Sequence, residues 1–184
     1  CSISYNNSPV VIIGTHGGMI GADGATQSGL QDISVMRSLP NFHVYQPCSN
    51  LETTQIIDHV SKLDKPAYVR IARNVIPEFL PKNYKFKFKK LTTIKNGKEI
   101  AIISSGPMLY NCLKAIEKIK DKEKFALLNL STIKPLNEKQ IVQKLKKFQR
   151  IITVEDHTIE GGIGSVIAEV MSNSAYAKKI QMLG

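Results

Sequence analysis

The residues best able to do chemistry gather at the ends of short apolar runs. His16 stands in Gly14-Thr15-His16-Gly17-Gly18, directly after the apolar run 10–13. An imidazole there can bind a phosphate or serve a carbonyl as acid or base. A merely exposed loop histidine has the same sequence surroundings. Asp23-Gly24 continues the glycine-rich loop and reads as a turn, because Asp tolerates the turn and Gly supplies positive φ. The glycines upstream would also let a ligand approach the backbone closely. Arg70 and Arg73 lie three apart in Tyr68-Val69-Arg70-Ile71-Ala72-Arg73, an offset that puts them on opposite faces of a strand. Arg73 is nearer the carboxyl end, where its planar fork suits a phosphate. A surface salt bridge would account for these arginines equally well.

Two further stretches invite a site and favour structure. Glu155-Asp156-His157 offers metal-ligating groups, but neighbours at a strand end diverge. Gly161-Gly162-Ile163-Gly164 opens a helix after a strand, yet Ile167 occupies the place of the third glycine of a dinucleotide loop. A tight turn packing a helix on its sheet explains it better.

The elements that must hold these residues form a strand–helix rhythm. Strands are expected at 10–13, 42–45 and 67–72. Between them, Leu30, Ile33, Met36 and Leu39 recur at helical spacing, and Ser49 and Glu52 form a capping box for a helix bearing Leu51, Ile56, Ile57, Val60 and Leu63. Residues 74–98 break the rhythm and read as a linker. It resumes with strands at 100–103, 126–130, 151–154 and 180–183. The intervening helices begin near Met108, after Asn137 and with Gly161-Gly162-Ile163-Gly164, the last running through Val166, Val170 and Met171. Such alternation implies two α/β units with parallel sheets, whose ligands would sit at the carboxyl ends of the strands.

A net charge of +10 raises the question of nucleic acid. The densest lysines interleave with Tyr84, Phe86 and Phe88 at period two, the pattern of a half-buried strand or extended linker, so no nucleic-acid partner is expected. No apolar run reaches the roughly 18 residues of a membrane span, so none is expected to enter a bilayer. Cys1, Cys48 and Cys112 are odd in number and widely spaced, which suits free thiols and a cytoplasmic location. The first residue is Cys, so a longer gene product is expected.

Taken in order, Gly14-Thr15-His16, Asp23-Gly24-Ala25-Thr26, Leu39-Pro40-Asn41, the Arg-bearing strand Tyr68 to Arg73, Thr132-Ile133-Lys134-Pro135-Leu136, Val154-Glu155-Asp156-His157 and Gly161-Gly162-Ile163-Gly164-Ser165 resemble the transketolase family, most of all its separately encoded C-terminal section. The resemblance implies a partial thiamine-diphosphate pyrimidine-type domain at 1–73, a linker at 74–98 and a transketolase C-terminal domain, truncated at its end, at 99–184. It implies a transferase that moves a two-carbon ketol unit between sugar phosphates, with thiamine diphosphate and Mg²⁺ in the complete enzyme. His16 and Arg73 would hold the substrate phosphate, and Asp23 would bond a sugar hydroxyl. Gln27 stands where the family has a second histidine that contacts the donor; it can donate a hydrogen bond but cannot shuttle a proton.

The activating glutamate would lie upstream, so the resemblance implies no catalytic residue, no metal ligand and no tight cofactor binding in these residues alone. The partners implied are sugar-phosphate substrates and an N-terminal diphosphate-binding section or subunit, in a dimer or a larger homo- or hetero-oligomer. The shortened loop between His16 and Asp23 also looks like 1-deoxyxylulose-5-phosphate synthase, although that relative usually carries Arg in place of His16. A 2-oxoacid dehydrogenase-like component shares the same architecture, and a noncatalytic assembly domain is compatible with Gln27.

Overall fold

A computed structural model describes residues 1–19, 24, 26–73 and 75–184. A single turn, α1 (Ser2–Tyr5), precedes β1 (Val11–Thr15), α2 (Asp32–Ser38), β2 (His43–Tyr45), α3 (Asn50–Val60) and β3 (Ala67–Ile71). Then come β4 (Thr92–Lys95), β5 (Ile100–Ser104), α4 (Met108–Glu117), a 3₁₀ turn (Lys122–Lys124), β6 (Phe125–Asn129), β7 (Thr132–Lys134), α5 (Glu138–Leu145), β8 (Arg150–Val154), α6 (Ile163–Ser172) and β9 (Ile180–Leu183). No helix among the described residues is long and apolar enough to cross a membrane.

Two sheets result, in the orders β1-β3-β2-β7 and β4-β6-β5-β8-β9. Parallel pairing dominates, as the strand–helix rhythm requires, but each sheet carries one antiparallel edge strand. β7 leaves its own unit and pairs with β2, placing Val44 opposite Lys134. The Lys134 ammonium then caps the end of α2, donating to the carbonyls of Arg37 (2.8 Å) and Leu39. Unpaired carbonyls at a helix C-terminus attract such a cation. β4 falls inside the 74–98 stretch and pairs with β6. Its short polar run, Thr-Thr-Ile-Lys, carries little strand signal of its own.

The helix starts follow local chemistry. Ser49 Oγ accepts from the Glu52 amide at 3.2 Å, and Asn137 accepts from the Gln140 amide at 3.0 Å. The Glu52 carboxylate, however, accepts from the amide of Cys48 (2.9 Å) rather than closing a reciprocal box with Ser49. The Gln140 side chain instead clasps both backbone groups of Leu91.

One buried core runs through both sheets, joining Ile33, Val44 and Tyr68 to Ile103, Leu128, Ile133 and Ile167. Each fully buried Ile or Leu contributes about 2 kcal/mol, so burial in this shared core stabilises both units. The 74–98 stretch packs inward as well. Tyr84 is buried and Phe86 and Phe88 are half-buried, while Lys85 and Lys87 face solvent. That matches the period-two reading, in extended backbone rather than in a strand.

Candidate functional site

β1 and β3 lie side by side with Thr15 opposite Ile71, so the residues that follow them leave from one edge of the sheet. His16 comes directly after Thr15 and is exposed, with its Nδ1 3.0 Å from Thr15 Oγ1. Its φ of +63° is uncommon for a residue with a side chain. Arg73 follows two residues past Ile71 and is also exposed. An imidazole and a permanent cation at neighbouring strand ends can receive an anionic group from solvent.

Gln27 is exposed on a loop whose base is closed by a bridge between Gly17 and Gly29. Its amide donates to the carbonyl of Gly24, which has φ +84°, at 3.2 Å. The positive φ of Gly24 is the part of the expected Asp23-Gly24 turn that falls on described residues. Asp23 lies outside the described residues.

Arg70 was the least legible of these side chains. It is 1% exposed, not on the surface. Its Nε donates to both carboxylate oxygens of Asp32 (3.1 and 3.0 Å), Nη1 to Asp156 Oδ1 (2.6 Å), and Nη2 to the carbonyls of Gly29 (2.8 Å) and Asp156 (3.0 Å). Tyr68 also donates to Asp32, at 2.6 Å, and burial raises its pKa. An arginine inside an apolar strand is the signal that could have revealed this hub, since a buried guanidinium needs acidic partners.

The acidic stretch after β8 takes the structural role expected of it. Glu155 accepts from the amides of Ile163 (2.7 Å) and Gly164 (3.0 Å), serving as the cap that Gly162 cannot provide. Burial raises its pKa, against the pull of those two amides. His157 Nε2 accepts from the amide of Ser34 at 3.3 Å, tying the loop to α2.

A cavity of about 560 Å³ opens beside the joint, lined by Met19, Leu30, Pro107, Met108, Asp156 and His157 among others. His16, Gln27 and Arg73 do not line it. Its mainly apolar wall suits a phosphate poorly, so the β1–β3 edge is the better candidate site.

The carboxylates inside the protein are already engaged. Glu52 is held by Cys48, Tyr84 and Asn129, Glu155 by its two amides, and Asp32 and Asp156 by Arg70. Among the described residues no three His, Cys, Asp or Glu groups converge as metal ligands. The carboxylates named above are thus held by this chain's own groups, and none of them is left over as a ligand. Two of the three thiols are buried, and burial raises Cys112 to about 11 and Cys48 further still, while Cys1 is exposed.

Residues 2–78 match the transketolase pyrimidine-binding domain, and residues 89–184 match the transketolase C-terminal domain. The chain is 31% identical over 181 residues to an apulose-4-phosphate transketolase subunit of Phocaeicola vulgatus, covering 97% of this chain and 58% of that protein. It is 33% identical over 187 residues to a putative transketolase C-terminal section from Methanocaldococcus jannaschii, covering 99% and 58%. A 1-deoxy-D-xylulose-5-phosphate synthase from Pasteurella multocida is 31% identical over 183 residues, covering 99% of this chain and 29% of that enzyme. Among solved structures, a split-gene transketolase described as an inactive beta4 tetramer superimposes with a TM-score of 0.87 at 27% identity, over 97% of this chain and 58% of the other. The chain thus spans little more than half the length of the split transketolase relatives.

Proposed function

Because this chain belongs to the transketolase family, we propose that it works as part of a thiamine-diphosphate-dependent transketolase, moving a two-carbon ketol unit between sugar phosphates. Residues 1–73 are the end of the pyrimidine-binding domain and 99–184 the C-terminal domain, with the connection, 74–98, lending β4 to the second sheet. The enzyme is completed by a diphosphate-binding section or subunit, which with further upstream residues supplies the seat for the cofactor and Mg²⁺. The assembly is an oligomer, and its free thiols suit the cytoplasm.

One observation carries the assignment of the substrate site: His16 and Arg73 emerge from neighbouring parallel strands at the same carboxyl edge. In this reading both hold the substrate phosphate, while Asp23 and Gln27 bond its hydroxyl groups. Binding energy from a phosphate remote from the reacting carbon fixes orientation and is used at the reacting centre. The fit of Gln27 to this role rests on its amide, which donates where a histidine would.

The deciding assay uses the full-length protein with its diphosphate-binding partner, thiamine diphosphate and Mg²⁺. Xylulose 5-phosphate and ribose 5-phosphate are supplied, and release of glyceraldehyde 3-phosphate is followed. Acceptor-dependent release is expected. Turnover only when pyruvate replaces the ketose donor would favour a synthase instead, a second reading supported by the similarity to 1-deoxy-D-xylulose-5-phosphate synthase. No turnover with cofactor bound would leave an assembly subunit.

A further inference from the structure

The loop that carries His16 rests on a charge from the second unit. A methyl group built on Gly17 would overlap the Nε and Cγ of Arg70, and one built on Gly18 would overlap Asp156 Oδ2. Gly18 is buried with φ +93°, a conformation that glycine alone adopts at little cost. Its amide donates to the Gly29 carbonyl at 3.0 Å, and Arg70 Nη2 donates to that same oxygen at 2.8 Å. The two residues after His16 are thus seated on the Arg70–Asp156 ion pair, and His16 is itself left-handed.

Asp156 belongs to the loop after β8. Besides Arg70 it accepts from Gln46 Nε2 at 3.0 Å, and Gln46 in turn accepts from Ser105 at 2.5 Å. The floor under the His16 loop is therefore built from both units. Its charges are unequal, since one guanidinium faces two carboxylates. Neutralising Asp156 leaves the Arg70–Asp32 pair balanced, so the fold tolerates the change better than loss of Arg70. An amide group in place of Oδ2 adds two hydrogens against Gly18 and lifts the loop.

We propose that Asp156 is a positioning residue for sugar-phosphate binding, setting the place of His16 through Arg70 and the Gly17–Gly18 pair. This rests on the reading of His16 as a phosphate ligand. An ångström of misplacement at a binding group can cost up to about 100-fold in rate, so an effect of this kind is measurable.

The test is steady-state kinetics of the full chain with its diphosphate-binding partner and cofactor. Asp156→Asn is expected to raise the sugar-phosphate KM by about 10-fold with kcat held within about 2-fold. Gly18→Ala, which disturbs the seat from the other side, is expected to do the same and serves if Asp156→Asn does not assemble. Added to His16→Ala, Asp156→Asn is expected to raise KM no further, because coupled residues are non-additive. An unchanged KM in these variants, or effects that multiply in the double variant, would overturn the proposal. If His16→Ala itself leaves KM unchanged, the reading of His16 falls, and the proposal with it, whatever Asp156→Asn does.

Discussion

Tyr84 donates its hydroxyl proton to Glu52 Oε1 at 2.6 Å, inside the protein, joining the connecting stretch to the first turn of α3. Asn129, at the end of β6, donates to the same carboxylate at 2.9 and 3.1 Å. One buried acid thus links the first unit, the connection and the second unit. Burial of Tyr84 raises its pKa, with the Glu52 charge adding to the effect.

Removing the hydroxyl in Tyr84→Phe is expected to cost about 2 kcal/mol, the scale of a hydrogen bond to a charged group. Urea unfolding at neutral pH measures it. Asn129→Asp sets a second carboxylate against Glu52 and is expected to cost more. Stability unchanged in both would show that the contact contributes nothing.

A second prediction concerns pH. Tyr45 Oη lies 3.1 Å from His43 Nδ1 and 3.2 Å from His59 Nε2, under Phe86 and Phe88. Burial lowers the pKa of His43, helped by Lys89, His59, Lys65 and Lys134. Burial also lowers that of His59, against the pull of Asp58. The folded state therefore prefers both rings neutral, with one accepting from the hydroxyl and the other donating to it. The unfolded chain takes up protons first as pH falls below about 6.5. Stability is complete above that value and is lost as pH drops from it toward the lowered folded values. Thermal melts from about pH 8 to pH 5 should show a falling Tm. A His43→Gln/His59→Gln double variant should flatten that slope, and an equal slope would refute the assignment.

Glu155 caps α6 from eight residues before it. Glu155→Ala leaves the amides of Ile163 and Gly164 buried without acceptors, and is expected to destabilise by about 3 kcal/mol. Denaturation measures the loss, and a change below about 1 kcal/mol would mean that other groups satisfy those amides.

Arg73→Ala tests the substrate edge. In the complete enzyme a rise in sugar-phosphate KM of roughly 10-fold or more is expected, with cofactor affinity intact. Unchanged kinetics would remove Arg73 from the site.

The chain by itself is expected not to bind thiamine diphosphate tightly, because its interior carboxylates are committed to partners within the fold. Calorimetry of this chain with thiamine diphosphate and Mg²⁺ should show no stoichiometric heat. Tight binding at one site per chain would contradict that expectation.

The strand–helix rhythm, the caps at Ser49 and Asn137, and the turn at Gly161-Gly162 were legible along the chain because each depends on neighbours within a few residues. His16 and Arg73 were legible as chemistry, since their types and strand-end places are local facts. β7 was not: three residues paired across to another sheet leave no periodicity. Arg70 was misread for a related reason. Its offset from Arg73 speaks only to which face of a strand it takes, and whether that face meets solvent or acid depends on residues 38 and 86 positions away.

The sequence by itself thus determined the alternating elements, the family and the residues presented at the strand ends, through short-range periodicity and side-chain chemistry. Only the tertiary structure decided that Asp32 and Asp156 converge on Arg70, that the Arg70–Asp156 pair lies beneath the glycines beside His16, and that Glu52 joins three segments. A charge can be buried only where distant chain segments bring its partners, and no local pattern encodes that meeting.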